Sequence, residues 1–262
     1  MEGPRGYAVR KRGLSPEHVA RIRKELTVRA DWDPVKSYGP PPPAFRVFDE
    51  DDVHFYVPTF WGRQVFGPPA VVASQGDSCP ALCFTGSLKE ELEQPRAVKA
   101  TLQTLADGGG GILAVFTGGG KTCMALWVAC QLKLKTLVVV NRTVLMQQWQ
   151  ERIATFVPGA RVGTLQGPVQ ETADKDIVVA MLQSLSQRRY ALEGFGFCVI
   201  DECNHIAAPT FSQAMLHTNC RFKLGLSATP ERKDGLTRVL LWFLGPIFLT
   251  MKRRDEQQVR VD

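Results

Sequence analysis

The sequence TGGGKT at residues 117–122 places a lysine and a threonine directly after three glycines. Consecutive glycines let the backbone turn tightly with its N–H groups pointing inward, which is a shape that holds phosphate oxygens. A short apolar run precedes the glycines and a helical pattern follows them, so the positive end of a helix dipole adds to the site. In such a loop Lys121 would reach the β- and γ-phosphates of a nucleoside triphosphate, and the Thr122 hydroxyl would ligate Mg²⁺. The other predicted phosphate-binding residues are Thr117, Gly118, Gly119 and Gly120.

One position departs from the general fingerprint of phosphate-binding loops. That fingerprint has a glycine five positions before the last glycine of the loop, where this chain has Val115. A glycine-rich turn that only joins a strand to a helix is the alternative interpretation. The lysine and the threonine stand at the required places, and they favour a phosphate-binding loop.

Two adjacent carboxylates, Asp201 and Glu202, follow the apolar run FCVI at residues 197–200. We predict that this run forms a strand beside the strand that precedes the phosphate-binding loop. In phosphate-loop ATPases an aspartate in that place completes the magnesium site, and a neighbouring carboxylate orients and activates the attacking water. We therefore assign the magnesium site to Asp201 and the general base to Glu202. Solvated carboxylates at a helix N-terminus are the alternative, because negative charge is favoured there in any case.

From residue 88 onward the sequence alternates short apolar runs with helical patterns. Continuous apolar strands separated by helices indicate an α/β fold, with a parallel sheet covered by helices on both faces. The predicted strands are residues 112–116, 136–140, 176–181, 197–200, 222–227 and 247–249. Helices are predicted over residues 121–133 and 143–156.

Residues 1–87 differ in character and are predicted to form an N-terminal α+β appendage. Ser15 and Pro16 form the N-cap and the first position of a short helix. A four-proline run indicates an extended linker, and FRVF and VHFYV indicate two small strands around the acidic turn DEDD. The segment is rich in apolar and aromatic residues, so we expect it to cover an exposed face of the following domain.

Composition excludes several classes of protein. Of the 262 residues, 44% are hydrophobic, which is enough for a full core and excludes global disorder. The apolar runs are too short to span a bilayer, and no secretory signal is visible. The seven cysteines fit buried thiols in an intracellular, reducing compartment, and the pair Cys79 and Cys83 has no second pair at zinc-finger spacing. The net charge of +6 favours an anionic partner only mildly.

Together these motifs resemble the first RecA-like domain of superfamily 2 DExH-type helicases. TGGGKT is similar to their motif I, DECN at residues 201–204 to motif II, and SAT at residues 227–229 to motif III, in the expected order. VVVNRTVLMQQWQERIATF is similar to motif Ia of the branch that contains type III restriction and repair-type helicases. The amino-acid sequence as a whole is most similar to helicases of large cytoplasmic DNA viruses. The resemblance implies a RecA-like domain over residues 88–262, the use of ATP and Mg²⁺, and a nucleic-acid partner, with DNA favoured over RNA.

The resemblance also implies roles for residues outside these two sites. Asn204 stands where the family usually has histidine, and its amide retains a donor and an acceptor that could link the nucleotide site to Ser227 and Thr229. Gln94 lies at the distance before the first motor helix at which the family reads adenine, although Glu90 stands where an arginine is expected. Candidate contacts to the phosphates of a nucleic-acid strand are Asn141, Arg142 and Gln148.

Two further features could add to nucleic-acid binding. Trp149 could stack on a base, although its apolar neighbours favour a place in the core. The basic clusters at residues 10–12 and 252–254 could attract nucleic acid nonspecifically, or they could be solvated tails.

Helicases of this kind close a second RecA-like domain over the nucleotide, and that domain contributes arginine fingers worth roughly 10³ in rate. Because the sequence stops at residue 262, we expect one half of a motor, whose second half acts in trans or was lost by truncation. The alternative function is a noncatalytic module that binds nucleotide or nucleic acid and regulates a partner. A small-molecule kinase with a phosphate loop is disfavoured, because DEC and SAT at these places are typical of motors.

Overall fold

The fold is described from a computed structural model. The structure describes residues 1–3, 5–33, 40–72, 75–206, 208–218 and 220–253. The helices are α1 (Pro16–Glu25), α2 (Thr59–Phe66), α3 (Gln94–Gly108), α4 (Lys121–Leu132), α5 (Thr143–Phe156), α6 (Leu182–Gln187), α7 (Ala208–His217) and α8 (Thr237–Leu244). The strands are β1 (Glu2–Gly3), β2 (Gly6–Arg10), β3 (Thr27–Val28), β4 (Phe45–Arg46), β5 (Asp49–Glu50), β6 (His54–Val57), β7 (Gly110–Val115), β8 (Thr136–Val140), β9 (Val162–Gln166), β10 (Val169–Gln170), β11 (Ile177–Met181), β12 (Phe197–Ile200), β13 (Phe222–Ser227) and β14 (Ile247–Met251). Part of the region before the proline run and the last residue of the basic cluster 252–254 lie outside the described residues.

The main sheet has eight strands in the order β10-β9-β11-β8-β12-β13-β7-β14. Every neighbouring pair is parallel except β10 and β9, which are antiparallel. The predicted adjacency of β12 and β7 is wrong, because β13 lies between them and pairs with both. Parallel strands are joined by crossovers, so neither chain order nor an apolar composition common to all strands specifies which strand pairs with which.

The two faces of the sheet belong to two separate hydrophobic clusters. Along β8, Leu137 and Val139 pack in one cluster while Val138 and Val140 pack in the other. This alternation follows from the two-residue period of a strand, and it explains why strands buried on both faces are largely apolar. Helices α3, α4 and α5 cover one face, and helices α6, α7 and α8 cover the other.

The N-terminal segment packs on the second of these faces. Its four-stranded sheet, in the order β1-β2-β6-β5, shares a hydrophobic cluster with α7 and α8, and Trp61 is one of its buried side chains. Arg63 in α2 pairs with Glu2 at 2.5 Å and donates to the carbonyl oxygen of Gly108, at the end of α3, at 2.6 Å. The boundary near residue 88 stays a prediction, since buried side chains form one continuous cluster across it.

The elements of the appendage differ in detail from those predicted. Helix α1 begins as expected, with the Ser15 hydroxyl accepting a hydrogen bond from the backbone N–H of His18. Only the first half of FRVF is a strand, and it pairs with β3. Asp49 and Glu50 were predicted to lie in an acidic turn, but they form β5 and pair with β6, because Arg5 and Lys11 neutralise their carboxylates.

The far edge of the main sheet, β9 and β10, has no counterpart among the predicted strands. Residues 162–166 alternate partly buried and buried positions, residues 168–170 are exposed, and the segment contains two glycines, so it lacks the continuous apolar character by which the central strands were identified. None of the helices in the described ranges combines the length and the apolar character that a bilayer crossing requires.

Candidate active site

The loop between β7 and α4 has the backbone shape that its glycines predict. Gly118 and Gly120 have φ angles of +89° and +88°, in the region that disfavours side chains. A Cβ atom added at Gly119 would overlap the Cγ1 atom of Val115, which is fully buried at the end of β7. Val115 stands where the fingerprint has a glycine, and its side chain lies directly against Gly119. A residue with a Cβ atom at position 119 would overlap that side chain.

The lysine of the loop meets the acidic pair across the carboxyl edge of the sheet. Lys121 Nζ lies 2.7 Å from Glu202 Oε1, although 81 positions separate the two residues in the chain. The Glu202 backbone N–H donates to Asp201 Oδ1 at 3.0 Å, so the two carboxylates belong to one local structure. The two side chains of the ion pair are 12% and 26% exposed, which leaves Lys121 and Glu202 accessible to a small ligand.

Glu202 has a backbone conformation that is unusual for its residue type. Its φ and ψ angles of 47° and 45° lie in the left-handed region, and it precedes a 3₁₀ turn at Cys203–His205. Such a conformation costs on the order of 1 kcal/mol or more in a residue with a side chain, and it persists where the surrounding structure holds it. The turn directs the backbone away from β12 directly after the acidic pair.

Asp201 is buried and is held at both carboxylate oxygens. Besides the bond to the Glu202 N–H, its Oδ2 atom accepts a hydrogen bond from the indole Nε1 of Trp149 at 2.8 Å. Burial raises the pKa of Asp201 above its ordinary value, while the Trp149 bond and the Lys121 charge act in the opposite direction. Trp149 itself is 1% exposed, so of the two places proposed for it, the core is the one it occupies. A buried tryptophan needs an acceptor for its N–H, and that requirement was the signal in the sequence for this contact.

Asn204 connects the acidic turn to the end of β13. Its Oδ1 atom accepts from the Ser227 hydroxyl at 2.6 Å, and its Nδ2 atom donates to the Thr229 hydroxyl at 3.0 Å. The Thr229 backbone N–H donates in turn to Ser227 Oγ at 3.1 Å. The amide thus uses a donor and an acceptor at once.

Arg232 is a residue of this region to which the sequence pattern assigned no role. Its Nη1 atom donates to the backbone carbonyls of Asn204 at 2.9 Å and Ile206 at 2.5 Å, and its other nitrogens pair with Asp234. The guanidinium group therefore holds the segment after the acidic pair against the segment after β13. An arginine two residues before an aspartate in ERKD was the available signal, since a fork of donors suits carboxylates and carbonyls.

Two clefts, of about 540 and 600 Å³, lie on either side of the phosphate loop. The larger one, near α3 and α4, measures about 600 Å³ and carries three cationic side chains, Lys89, Lys121 and Arg152. The other residues that line it are Gly86, Ser87, Leu92, Gln94, Gly118, Gly120, Thr122, Cys123 and Phe156. Of the predicted phosphate-binding residues, Thr117 lies instead on the second cleft.

Gln94 is 3% exposed, and both ends of its amide are bonded to the protein backbone. Its Nε2 atom donates to the Gly119 carbonyl at 3.1 Å, and its Oε1 atom accepts from the Lys89 N–H at 2.9 Å. A Cβ atom at Gly120 would overlap Gln94 Nε2, so the glutamine side chain packs directly under the loop. In this structure Gln94 supports the loop from below.

The second cleft, of about 540 Å³, joins Glu202 to the start of α5. Asn141 and Arg142 line it, whereas Gln148 is exposed on α5 outside the lining residues. The Oδ1 atom of Asn141 is buried without a hydrogen-bond partner among the described residues. The other lining residues are Thr117, Val144, Leu145, His205 and Ala228.

The donor set at the edge of the sheet suits a hard divalent cation. The Asp201 carboxylate and the Thr122 hydroxyl both offer oxygen atoms, which Mg²⁺ prefers together with water and phosphate oxygens. Within the described residues, no group of three or more His, Cys, Asp or Glu side chains is arranged to hold a metal ion by itself. A cation here would therefore share its coordination with a bound phosphate.

A parallel sheet that carries a glycine loop, its lysine and an acidic pair at one edge defines a RecA-like nucleotide-binding domain. The family model of the type III restriction enzyme, res subunit, matches residues 87–232, and the chain belongs to this family. The family corresponds to the N-terminal RecA-like domain of superfamily 2 helicases, which are ATP-dependent nucleic-acid motors.

Individual relatives and structures agree with this assignment. A candidate ATP-dependent RNA helicase of Acanthamoeba polyphaga mimivirus is 29% identical over 98% of this chain and 50% of its own length. The DNA 3'-5' translocase XPB2 of Sulfurisphaera tokodaii is 33% identical over 65% of this chain and 38% of its own length. The crystal structure of the UvsW helicase from bacteriophage T4 is similar in fold, with a TM-score of 0.62 at 19% identity over 89% of this chain and 93% of that one. The chain thus spans half the length of the viral relative and less than half the length of the archaeal relative.

Proposed function

We propose that this chain binds and hydrolyses ATP as one half of a helicase or translocase that acts on nucleic acid. The observation that carries the proposal is the meeting of Lys121 with Glu202 at 2.7 Å, next to the buried Asp201. A lysine from the glycine loop and two carboxylates from a distant strand end are the groups that in-line phosphoryl transfer to water requires.

Each residue of the site has a distinct proposed role. Lys121 leaves Glu202 to contact the β- and γ-phosphates, while the loop N–H groups of residues 118–120 cradle the phosphate oxygens. Thr122 and Asp201 would hold Mg²⁺, which neutralises the charge that develops on the phosphates. Glu202, released from the lysine, accepts a proton from the attacking water. Glu202 is suited to this because it is partly exposed and faces the cleft that Thr117 also lines.

Coupling to nucleic acid is proposed to run through Asn204. Its bonds to Ser227 and Thr229 join the turn that carries Glu202 to the end of β13, so a movement of one segment changes the other. Asn141 and Arg142 are proposed to contact the strand backbone in the second cleft, with Gln148 farther along α5. Gln94 is proposed to support nucleotide binding by holding the phosphate loop in place. This role would be additional to the adenine contact that the resemblance implies.

We favour DNA over RNA as the polymer. The archaeal relative is named as a DNA translocase, which supports DNA, while the viral relative is named as an RNA helicase. Full turnover is proposed to need a second RecA-like domain, on a longer chain or in trans, because arginine fingers contribute 10³-fold or more, by order of magnitude, in such motors.

The test is phosphate release from MgATP by the purified chain, alone and with single-stranded DNA or RNA of equal length. We expect slow release that DNA increases more than RNA. Glu202→Gln should retain nucleotide binding and lose turnover by about 10² or more. Hydrolysis by Glu202→Gln at the parental rate would show that Glu202 is not the base. Stimulation by RNA alone would reverse the choice of polymer.

A further inference from the structure

The carboxylate of Asp201 is fixed in direction by two neutral donors. Trp149 Nε1 donates to Oδ2 at 2.8 Å, and the Glu202 backbone N–H donates to Oδ1 at 3.0 Å. With one bond on each oxygen, rotation of the carboxylate about its last bond would break both. Each oxygen still has a lone pair available for a further ligand.

The kind of donor matters for a site that takes a cation. An arginine or lysine at the position of Trp149 would neutralise Asp201 and repel a metal ion. The indole N–H satisfies the buried oxygen and leaves the negative charge of the carboxylate available. Trp149 and Asp201 are 1% and 6% exposed, so water cannot readily replace the indole as the donor.

The indole is held by the packing of α5 against the sheet. Trp149 belongs to the same buried cluster as Ile153 on α5 and Val138 and Val140 on β8. Its nitrogen therefore has a defined position relative to the end of β12. This arrangement is the outer-shell support that orients ligands in metal sites, where its loss typically lowers metal affinity by 10- to 100-fold, as an order of magnitude.

We propose that Trp149 is a positioning residue that orients Asp201 for Mg²⁺ at the nucleotide site. The inference rests on the proposed function, because it concerns the same metal-dependent site. It assigns to motif Ia a contribution to the metal site, separate from any contact with a nucleic-acid strand.

Trp149→Phe tests this, because phenylalanine keeps most of the apolar volume and removes the N–H. The matched control is Trp61→Phe in the appendage. Trp61 is 2% exposed and donates to Glu25 Oε2 at 3.0 Å, so Trp61→Phe loses a bond of the same kind to a carboxylate other than Asp201. Binding of a fluorescent ATP analogue is measured as a function of Mg²⁺ concentration for the parent chain and both variants.

We expect Trp149→Phe to raise the Mg²⁺ concentration for half-maximal binding by about 10-fold or more, with Trp61→Phe equal to the parent. An unchanged Mg²⁺ dependence in Trp149→Phe would overturn the inference while leaving the proposed function intact. A parent chain that binds no nucleotide at any Mg²⁺ concentration would overturn the proposed function itself.

A second measurement needs no nucleotide. Thermal unfolding of Trp149→Phe, Asp201→Ala and the double variant forms a mutant cycle for the bond. We expect the double variant to lose less in Tm than the sum of the single losses, whereas Trp61→Phe combined with Asp201→Ala should be additive. Additive losses for Trp149 and Asp201 would show that the indole does not hold the carboxylate.

Discussion

Lys121 Nζ and Glu202 Oε1 lie 2.7 Å apart, so the lysine proposed to bind the phosphates and the carboxylate proposed to act as the general base are paired with each other in this structure. Each of these two charges neutralises the other. A bound triphosphate would compete with Glu202 for Lys121, because both present negatively charged oxygen atoms to the same ammonium group.

The Lys121–Glu202 pair predicts that Glu202→Gln binds nucleotide more tightly than the parent. The change removes both the competition for Lys121 and the repulsion between a carboxylate and the phosphates. We expect an increase in affinity of several-fold in titrations with a fluorescent ATP analogue, together with loss of binding in Lys121→Ala. Glu231→Gln, at an exposed position after β13, is the control for a simple change of net charge. Weaker binding by Glu202→Gln would contradict the competition.

The hydrogen bonds of Asn204 predict loss of coupling without loss of nucleotide binding. Asn204→Ala leaves the hydroxyls of Ser227 and Thr229 without their shared partner. We expect ATP affinity within about 2-fold of the parent and a several-fold smaller stimulation of phosphate release by nucleic acid, since the site itself is untouched. Ser227→Ala should give a similar loss, and the double variant should lose little more than either one. Independent, multiplying losses would show that these residues do not act together.

The fit between the phosphate loop and β7 predicts a specific rescue. Gly119→Ala places a methyl group against Val115 Cγ1, so we expect a lower Tm and weaker ATP binding. Val115→Ala in the same chain removes that atom and should restore part of both. Gly108→Ala is the control, because a Cβ atom there meets nothing within 4 Å. A Gly119→Ala variant that binds ATP like the parent would show that the loop relaxes freely.

The buried Lys223 predicts a pH-dependent stability. Burial lowers the pKa of Lys223 from 10.5 to about 8, and its Nζ atom donates to the Thr59 hydroxyl at 3.0 Å. Below pH 8 the amine is charged in both the folded and the unfolded chain, so the full penalty for burying the charge is present. Between pH 8 and 10.5 the folded chain binds fewer protons than the unfolded chain, so its stability rises with pH, by roughly 3 kcal/mol over the whole interval.

Lys223→Met removes this penalty. We expect it to be more stable than the parent at pH 7, with the difference in urea unfolding free energy shrinking by about 2 kcal/mol between pH 8 and 9.5. A difference that stays constant over that range would mean that Lys223 does not lose its proton in the folded protein.

The central strands and helices could be predicted from the sequence, because the patterns that indicate them lie within short stretches of the chain. Strand β8 and helix α5 begin and end at the predicted residues, since four consecutive apolar residues after Thr136 and a 14-residue amphipathic segment leave little choice. Edge strands β9 and β10 were missed because the alternating β9 and the exposed, two-residue β10 have patterns that short loops also show. Asp49 and Glu50 were assigned to a turn because their partners Arg5 and Lys11 lie about 40 positions away in the chain.

The sequence by itself determined which groups this protein has for phosphate chemistry, because the glycine loop, its lysine and the acidic pair are recognisable from residue types at short spacing. Only the tertiary structure decided how those groups are supported. The order of strands places β13 between β7 and β12, which brings Ser227 to Asn204, while the packing of α5 brings Trp149 to Asp201. Such contacts join residues 23 and 52 positions apart, and they depend on strand pairing and core packing that no local pattern encodes.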